Sequence, residues 1–396
     1  MTTSYNPFDP EAVDDQYGAV AGLRRETPVA EIVPGAYYVS RYEDVLRVLH
    51  DPRTFPQGGV AAATGAAQPL DCLALFELDP PEHTSVRRRF TTALSPTRVK
   101  ALEPMVRATC EELVDQFIDR GSADVVADFG APLPSLVICR LVGFPDRDAL
   151  AIRSYCDNFV AAVADPGNTD TAALDECEQF ERDVRARVVE RRHAKTRPND
   201  LLTALVDCTD ENGAPLSDDR VLTHLTKDVL IGGLETTTHL IGNMFFEILT
   251  TEGLYARLRI DRALVTTAVE ESLRHLSPVQ VAMRRVAADT ELAGTHLKQD
   301  AFLVLGLASA NRDDTQFTQP DIYDIDRDPE ELRQHLAFDR GIHSCVGAAL
   351  VRIEATTALN TILDRITHME LADMTYRRVR HFMMRGPTEL PVTFTT

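Results

Sequence analysis

Two spacings of apolar residues, alternating and helical, divide this chain into elements. In GAYYVSRYEDVLRVLH the alternation gives way to helical spacing, which predicts a short strand ending near Val39, a helix from about Tyr42 to His50 and a stop at Asp51-Pro52. The stretch 56 to 70, PQGGVAAATGAAQPL, is rich in Gly, Ala and Pro and reads as a loop. From about residue 84 to 360 helical spacing dominates. Within it, SPTRVKALEPMVRATCEELVDQFIDRG offers Ser95 as a cap, Pro96 in the first turn and Gly121 as a stop. Strand-like runs return at AFLVLGLAS (301 to 309) and LPVTF (390 to 394). The sum is a mainly α fold with a minor β part and no regular βαβ alternation. No internal repeat or long low-complexity linker divides it, and length alone allows one large domain or two to three ordinary ones.

Two segments carry residues that their apolar pattern does not call for. LTKDVLIGGLETTTHLIGNMFFEIL sets Leu230, Leu234, Ile241, Phe245 and Leu249 at helical spacing, with Gly232, Gly233, Glu235 and Thr236 in between. Each mid-helix glycine costs about 1 kcal/mol relative to Ala, and a carboxylate in so apolar a helix needs a compensating environment. Close helix packing accounts for a glycine pair and hydroxyls equally well. LAFDRGIHSCVGAALVRIEATTALNTIL delivers Cys345 from a polar, glycine-containing loop to the start of a helix bearing Leu350, Ile353, Leu359, Ile362 and Leu363. Positive potential and exposed N–H groups at a helix N-terminus stabilise a thiolate, and Gly347 lets a flat ligand approach the backbone. An isolated cysteine, by contrast, reads as a small buried hydrophobe.

Composition narrows the classes. With 396 residues, 44% hydrophobic and 26% charged, the chain can bury a large core. Its 61 acidic against 41 basic residues give a net charge of -20, which disfavours nucleic acid and anionic membrane surfaces as partners. The seven cysteines, at 72, 110, 139, 156, 177, 208 and 345, form no C-x-x-C pair and are odd in number, so neither a disulfide framework nor a zinc knuckle is suggested. MTTSYNPFDPEAVDD has no basic leader, no apolar core of signal length and no bilayer-spanning run, so a cytoplasmic protein without a membrane partner is expected.

The cysteine is not isolated. Phe338, Gly341, His343, Cys345 and Gly347 spell F-x-x-G-x-H-x-C-x-G, which resembles the haem-binding signature of the cytochrome P450 family. The resemblance implies a cytochrome P450 fold binding heme b, with Cys345 as proximal iron ligand, Phe338 packed on the thiolate side and His343 donating to a haem propionate. Asp339 departs from the glycine that many members carry after the Phe. In VEESLRHLSPVQVAMRR, Glu271 and Arg274 match the family's structural E-x-x-R pair. Arg284 resembles its propionate-binding arginine, with Arg285 as the alternative. DPPEHTSVRRRF supplies His83 and Arg87 as further propionate partners, since buried carboxylates need cations and donors.

The glycine-interrupted helix resembles the family's [AG]-G-x-[DE]-T-T pattern through Gly232, Gly233, Glu235, Thr236 and Thr237. By resemblance, Thr236 hydrogen-bonds dioxygen and water, Glu235 relays protons from solvent, and Gly233 makes room for dioxygen. The likeness extends from YYVSRYEDVLRVLHDPRTF through ANRDDTQF to RGPTELPVTF, which implies a single domain over 1–396. It implies a monooxygenase that uses O2 on an apolar small molecule of terpenoid, steroid, fatty-acid or polyketide type. Leu234, Val279, Val281, Met383 and Met384, with the 56 to 78 loop, are expected to line its pocket. Electrons would come from a separate ferredoxin or flavodoxin with its NAD(P)H reductase, with Arg87, Arg88, Arg89 and Arg340 offering part of a docking face. A haem-binding sensor or carrier is the alternative, and it would not need Glu235 and Thr236.

Overall fold

A computed structural model describes residues 5–7, 16–58, 69–164, 171–210 and 212–396. Most of the loop read at 56 to 70 lies outside them, only 56–58 and 69–70 being described. Helices dominate the rest. The Val29–Val33 and Ala36–Val39 strands and the Tyr42–His50 helix stand where the change of spacing placed them.

The main sheet has four strands in the order Val29–Val33, Ala36–Val39, Phe302–Gly306, Val281–Arg285. Its central pairing is parallel, Ala36 opposite Phe302, and the outer pairings are antiparallel, which sets Arg284 opposite Leu303. The run expected over 301–309 divides, because the strand stops at Gly306 and Leu307–Ala310 is helical. A second sheet joins Ser122–Asp124, Pro391–Thr395 and His368–Leu371.

The helix read between Ser95 and Gly121 is broken. Pro96–Lys100 and Glu103–Asp115 are separate helices, because Pro104 has no N–H to donate and sits at the start of the second. Ser95 precedes the first helix without a side-chain capping bond, and Gly121 ends the run at φ 67°.

The Gly232–Thr250 helix runs through the core. Leu240, Ile241, Met244, Phe245 and Ile248 share one core with Val106 and Leu113 of the Glu103–Asp115 helix and Leu359 and Ile362 of the Ala348–Arg365 helix. Immediately before it, His224–Ile231 is wound as a π-helix, so the regular α-helix begins at Gly232. The apolar stretch Val125–Val142 is long enough to span a bilayer, but 61% of it is buried inside the protein. It is a core element.

Candidate active site

Cys345 leaves a tightly closed loop. Its N–H donates to the Phe338 carbonyl at 2.8 Å, and Asp339 N–H donates to the Leu336 carbonyl at 2.9 Å. Gly341, at φ 72°, makes the loop possible twice over, since any side chain would be strained there and its Cβ would meet the Leu49 carbonyl oxygen. The thiol itself is exposed. Surrounding protein atoms raise its pKa, while the Gly347 and Ala348 N–H groups and the charges of Arg87 and Arg352 pull it down. A Cβ on Gly347 would lie 3.7 Å from the Cys345 sulfur, so the backbone approaches the thiol closely.

Phe338 packs against the main core, and the Arg352 guanidinium lies 4.6 Å from its ring centre. Sequence reasoning missed the clamp behind it. Arg352 donates to both carboxylate oxygens of Glu270, at 2.6 and 2.8 Å, and His335 Nε2 lies 3.0 Å from the same group. These charges hold the Glu270 pKa down at about 2 against burial, which alone would raise it.

Four residues expected at propionates converge beside this loop. The His83 and His343 rings stand 4.5 Å apart. Arg87, from the Glu82–Ala93 helix, donates to the Ser344 carbonyl. Arg284 turns inward from the main sheet, donating to Gln57 Oε1 at 2.7 Å and to the Met283 carbonyl at 2.8 Å, with Asp339 Oδ2 at 3.3 Å. Arg285 points elsewhere, to Asp300 and the Gly58 carbonyl. Both ring nitrogens of His343, and Nε2 of His83, are buried without a partner. Burial and the neighbouring cations push the His343 pKa down to about 3. Unpartnered buried nitrogens beside two arginines suit an anionic group with acceptor oxygens.

The glycine pair divides its work differently from the expectation. A Cβ on Gly233 would sit 2.5 Å from Ile138 Cδ1, so this glycine serves close packing against the Pro132–Val142 helix. Gly232 is exposed, and a Cβ there would meet only the Lys227 carbonyl, at 3.6 Å. The room assigned to Gly233 therefore lies at Gly232. Thr236, partly exposed, donates to the Gly232 carbonyl at 2.9 Å.

Glu235 is buried on the other side of the helix. Its carboxylate oxygens lie 3.3 Å from Arg153 and 3.6 Å from His239 Nε2. Burial raises its pKa, opposed by the Arg153 charge. These groups, with Asp157, Thr238 and His381, line a cavity of about 340 Å³. Its walls come from four segments remote in sequence, and from spacing only the residues one turn beyond Glu235, such as His239, could have been found.

Glu271 and Arg274 are fully buried and joined by two bonds of 2.7 Å. Arg274 also donates to the Asn311, Pro320 and Ile322 carbonyls, and Arg327 lies 3.2 Å from Glu271. Two expected pocket residues are corrected. Leu234 is fully buried in the core with Ile138 and Cys139, and Val281 is 1% exposed among Tyr38 and Val304. Met383 packs on that same cluster, whereas Val279 and Met384 face each other across an isolated β-bridge and are half-buried.

The chain is similar to known proteins over most of its length. A sequence profile of the family described as cytochrome P450 matches residues 166–382. Cytochrome P450 107B1 of Saccharopolyspora erythraea is 33% identical over 417 residues, covering 99% of both chains. The mycinamicin IV hydroxylase/epoxidase of Micromonospora griseorubida is 32% identical, covering 95% of each. Among solved structures, cytochrome P450 CYP109Q5 from Chondromyces apiculatus superposes with a TM-score of 0.88 at 31% identity, over 100% of this chain and 99% of that one.

Proposed function

The chain belongs to the cytochrome P450 family, a family of haem-thiolate monooxygenases with heme b as cofactor, and we propose that Cys345 is the residue that ligates its iron. The observation that carries this reading is the exposed thiol at the end of a closed loop, supplied with two backbone N–H donors and the Arg87 charge. His83, Arg87, Arg284 and His343 hold the propionates, as their orphaned donors and cations favour. Phe338 would pack on the thiolate side, and Gly347 would leave the backbone beside the sulfur clear for the ring.

Bound haem supplies the activation of dioxygen and its insertion into a substrate C–H bond. The protein's own part is proton supply. Thr236 presents a hydroxyl beside the open face at Gly232, and Glu235, reached through the cavity lined by Arg153 and His239, passes protons from solvent toward it. The substrate is an apolar small molecule, and Val279 and Met384, half-buried across their β-bridge, are the residues best placed to touch it. A separate ferredoxin or flavodoxin delivers electrons at the cysteine side, where Arg88 and Arg89 are exposed.

The test is the carbon-monoxide difference spectrum of the reduced protein beside Cys345→Ser prepared identically. A strongly red-shifted Soret band in the wild type that is lost in the variant supports thiolate ligation by this residue. A band typical of histidine ligation in both proteins, or no haem in either, overturns it.

A further inference from the structure

Asp339 interrupts the cysteine loop with a backbone conformation that side chains avoid. Its φ is 59°, in the left-handed region, where Asp is tolerated because its short carboxylate can bond locally. One oxygen does so, accepting from Arg340 N–H at 2.5 Å. The other faces Arg284 at 3.3 Å. Both residues are withdrawn from solvent, with side chains 18% and 5% exposed, so the charges meet with little screening. The Arg87 guanidinium also feels the Asp339 charge.

The Arg284 contacts are unequal. Its bonds to Gln57 and Met283 are of ordinary length and lead only to neutral acceptors, so they fix the guanidinium in place. The contact with Asp339 is longer than the 2.7–2.9 Å typical of a charge-assisted bond. That geometry leaves the carboxylate adjacent to the cation without saturating it, and leaves room for a second carboxylate to share it.

We propose that Asp339 is a built-in acidic counter-charge in the propionate cluster, which offsets Arg284 and thereby biases bound haem toward its ferric form. This rests on the haem-thiolate reading of Cys345. A fixed negative charge near the haem opposes the gain of an electron, and by partly neutralising Arg284 it also weakens the hold on a propionate. At an effective dielectric constant of about 20, Coulomb's law makes a unit charge worth about a tenfold change in an equilibrium constant at a separation of roughly 12 Å, and more when nearer. For a one-electron couple, tenfold corresponds to about 59 mV.

The experiment compares wild type with Asp339→Asn and Asp339→Gly as purified haem proteins. Asn keeps the shape and tolerates the left-handed backbone but removes the charge; Gly removes both charge and strain. Dye-equilibrated spectroscopic titration gives the ferric/ferrous midpoint, and transfer of haem to excess apomyoglobin gives the rate of haem loss. Both variants should show a midpoint about 59 mV higher, the tenfold change, and slower haem loss. A midpoint and a transfer rate unchanged in Asp339→Asn would overturn the proposal, as would a change confined to Asp339→Gly, which would reflect backbone strain alone. The carbon-monoxide spectrum of the same samples separates this from the reading beneath it, since a thiolate-type band in all three proteins leaves Cys345 as ligand whatever the midpoints do.

Discussion

Glu354 should make this protein lose stability as the solution becomes mildly alkaline. It lies on the Ala348–Arg365 helix, 2% exposed, and its Oε2 has no hydrogen-bond partner. Burial alone raises its pKa from 4.5 to about 8. In the unfolded chain the carboxyl ionises near 4.5, so above that pH the unfolded state releases a proton that the folded state keeps. The stabilising contribution is therefore complete below about 4.5 and is lost as pH rises through about 8. At 1.36 kcal/mol per unit, the full difference is on the order of 5 kcal/mol, of which about 3 kcal/mol is lost between pH 5.5 and 8.5.

Glu354→Gln preserves the shape and removes the titration. Urea unfolding of both proteins at the two pH values isolates the effect, because every other titrating group is common to them and cancels in the double difference. The variant should gain about 3 kcal/mol on wild type between the lower and the higher pH. A difference that stays within about 0.5 kcal/mol across that interval would show that water or a partner reaches the carboxyl, and would refute the reasoning.

Arg274→Ala should cost about 3–5 kcal/mol, because it strands a buried Glu271 and three carbonyls; hydrogen exchange over 264–276 and 311–327 should accelerate, and unchanged protection there would contradict a scaffold role. Gly233→Val should overpack Ile138 and destabilise by about 1–3 kcal/mol. Gly232→Ala should leave the melting temperature unchanged or higher while lowering product formed per NAD(P)H consumed, and equal melting temperatures for the two variants would remove the distinction drawn between the glycines. Thr236→Ala should raise peroxide release at the expense of product and Thr236→Ser should restore coupling; unaltered coupling in Thr236→Ala would remove the hydroxyl from proton supply.

The elements most legible in the sequence were those whose evidence is local. The turn into the Tyr42–His50 helix is written in a change of apolar period, and the cysteine loop in five residues of fixed spacing. The break at Pro104 was also local, and was missed because the apolar period continues across it while the backbone donor does not. Facing was not legible. Leu234 and Val281 are apolar residues on core elements, and period alone does not distinguish a side chain aimed into a pocket from one aimed at the next helix. The same limit applied to Gly233, whose missing side chain admits Ile138 rather than a ligand.

Three glutamates show why partners decide what a buried charge does. Glu235, Glu271 and Glu354 each lie on a helix with an apolar face, and from sequence each poses the same question of what offsets the cost of burial. Glu271 is met by Arg274, Arg327 and the Asp324 N–H, so it fixes the chain around 311–327 in one arrangement. Glu354 meets no offsetting group among the described residues, and holds its proton to about pH 8. Glu235 falls between them, with Arg153 and His239 both beyond 3.2 Å and a cavity alongside. A carboxyl held that loosely can exchange its proton, whereas one clamped like Glu271 has its oxygens committed to fixed partners and one enclosed like Glu354 has no path by which to pass a proton on. Partial compensation is what the proposed relay requires, and of these three glutamates Glu235 alone has it.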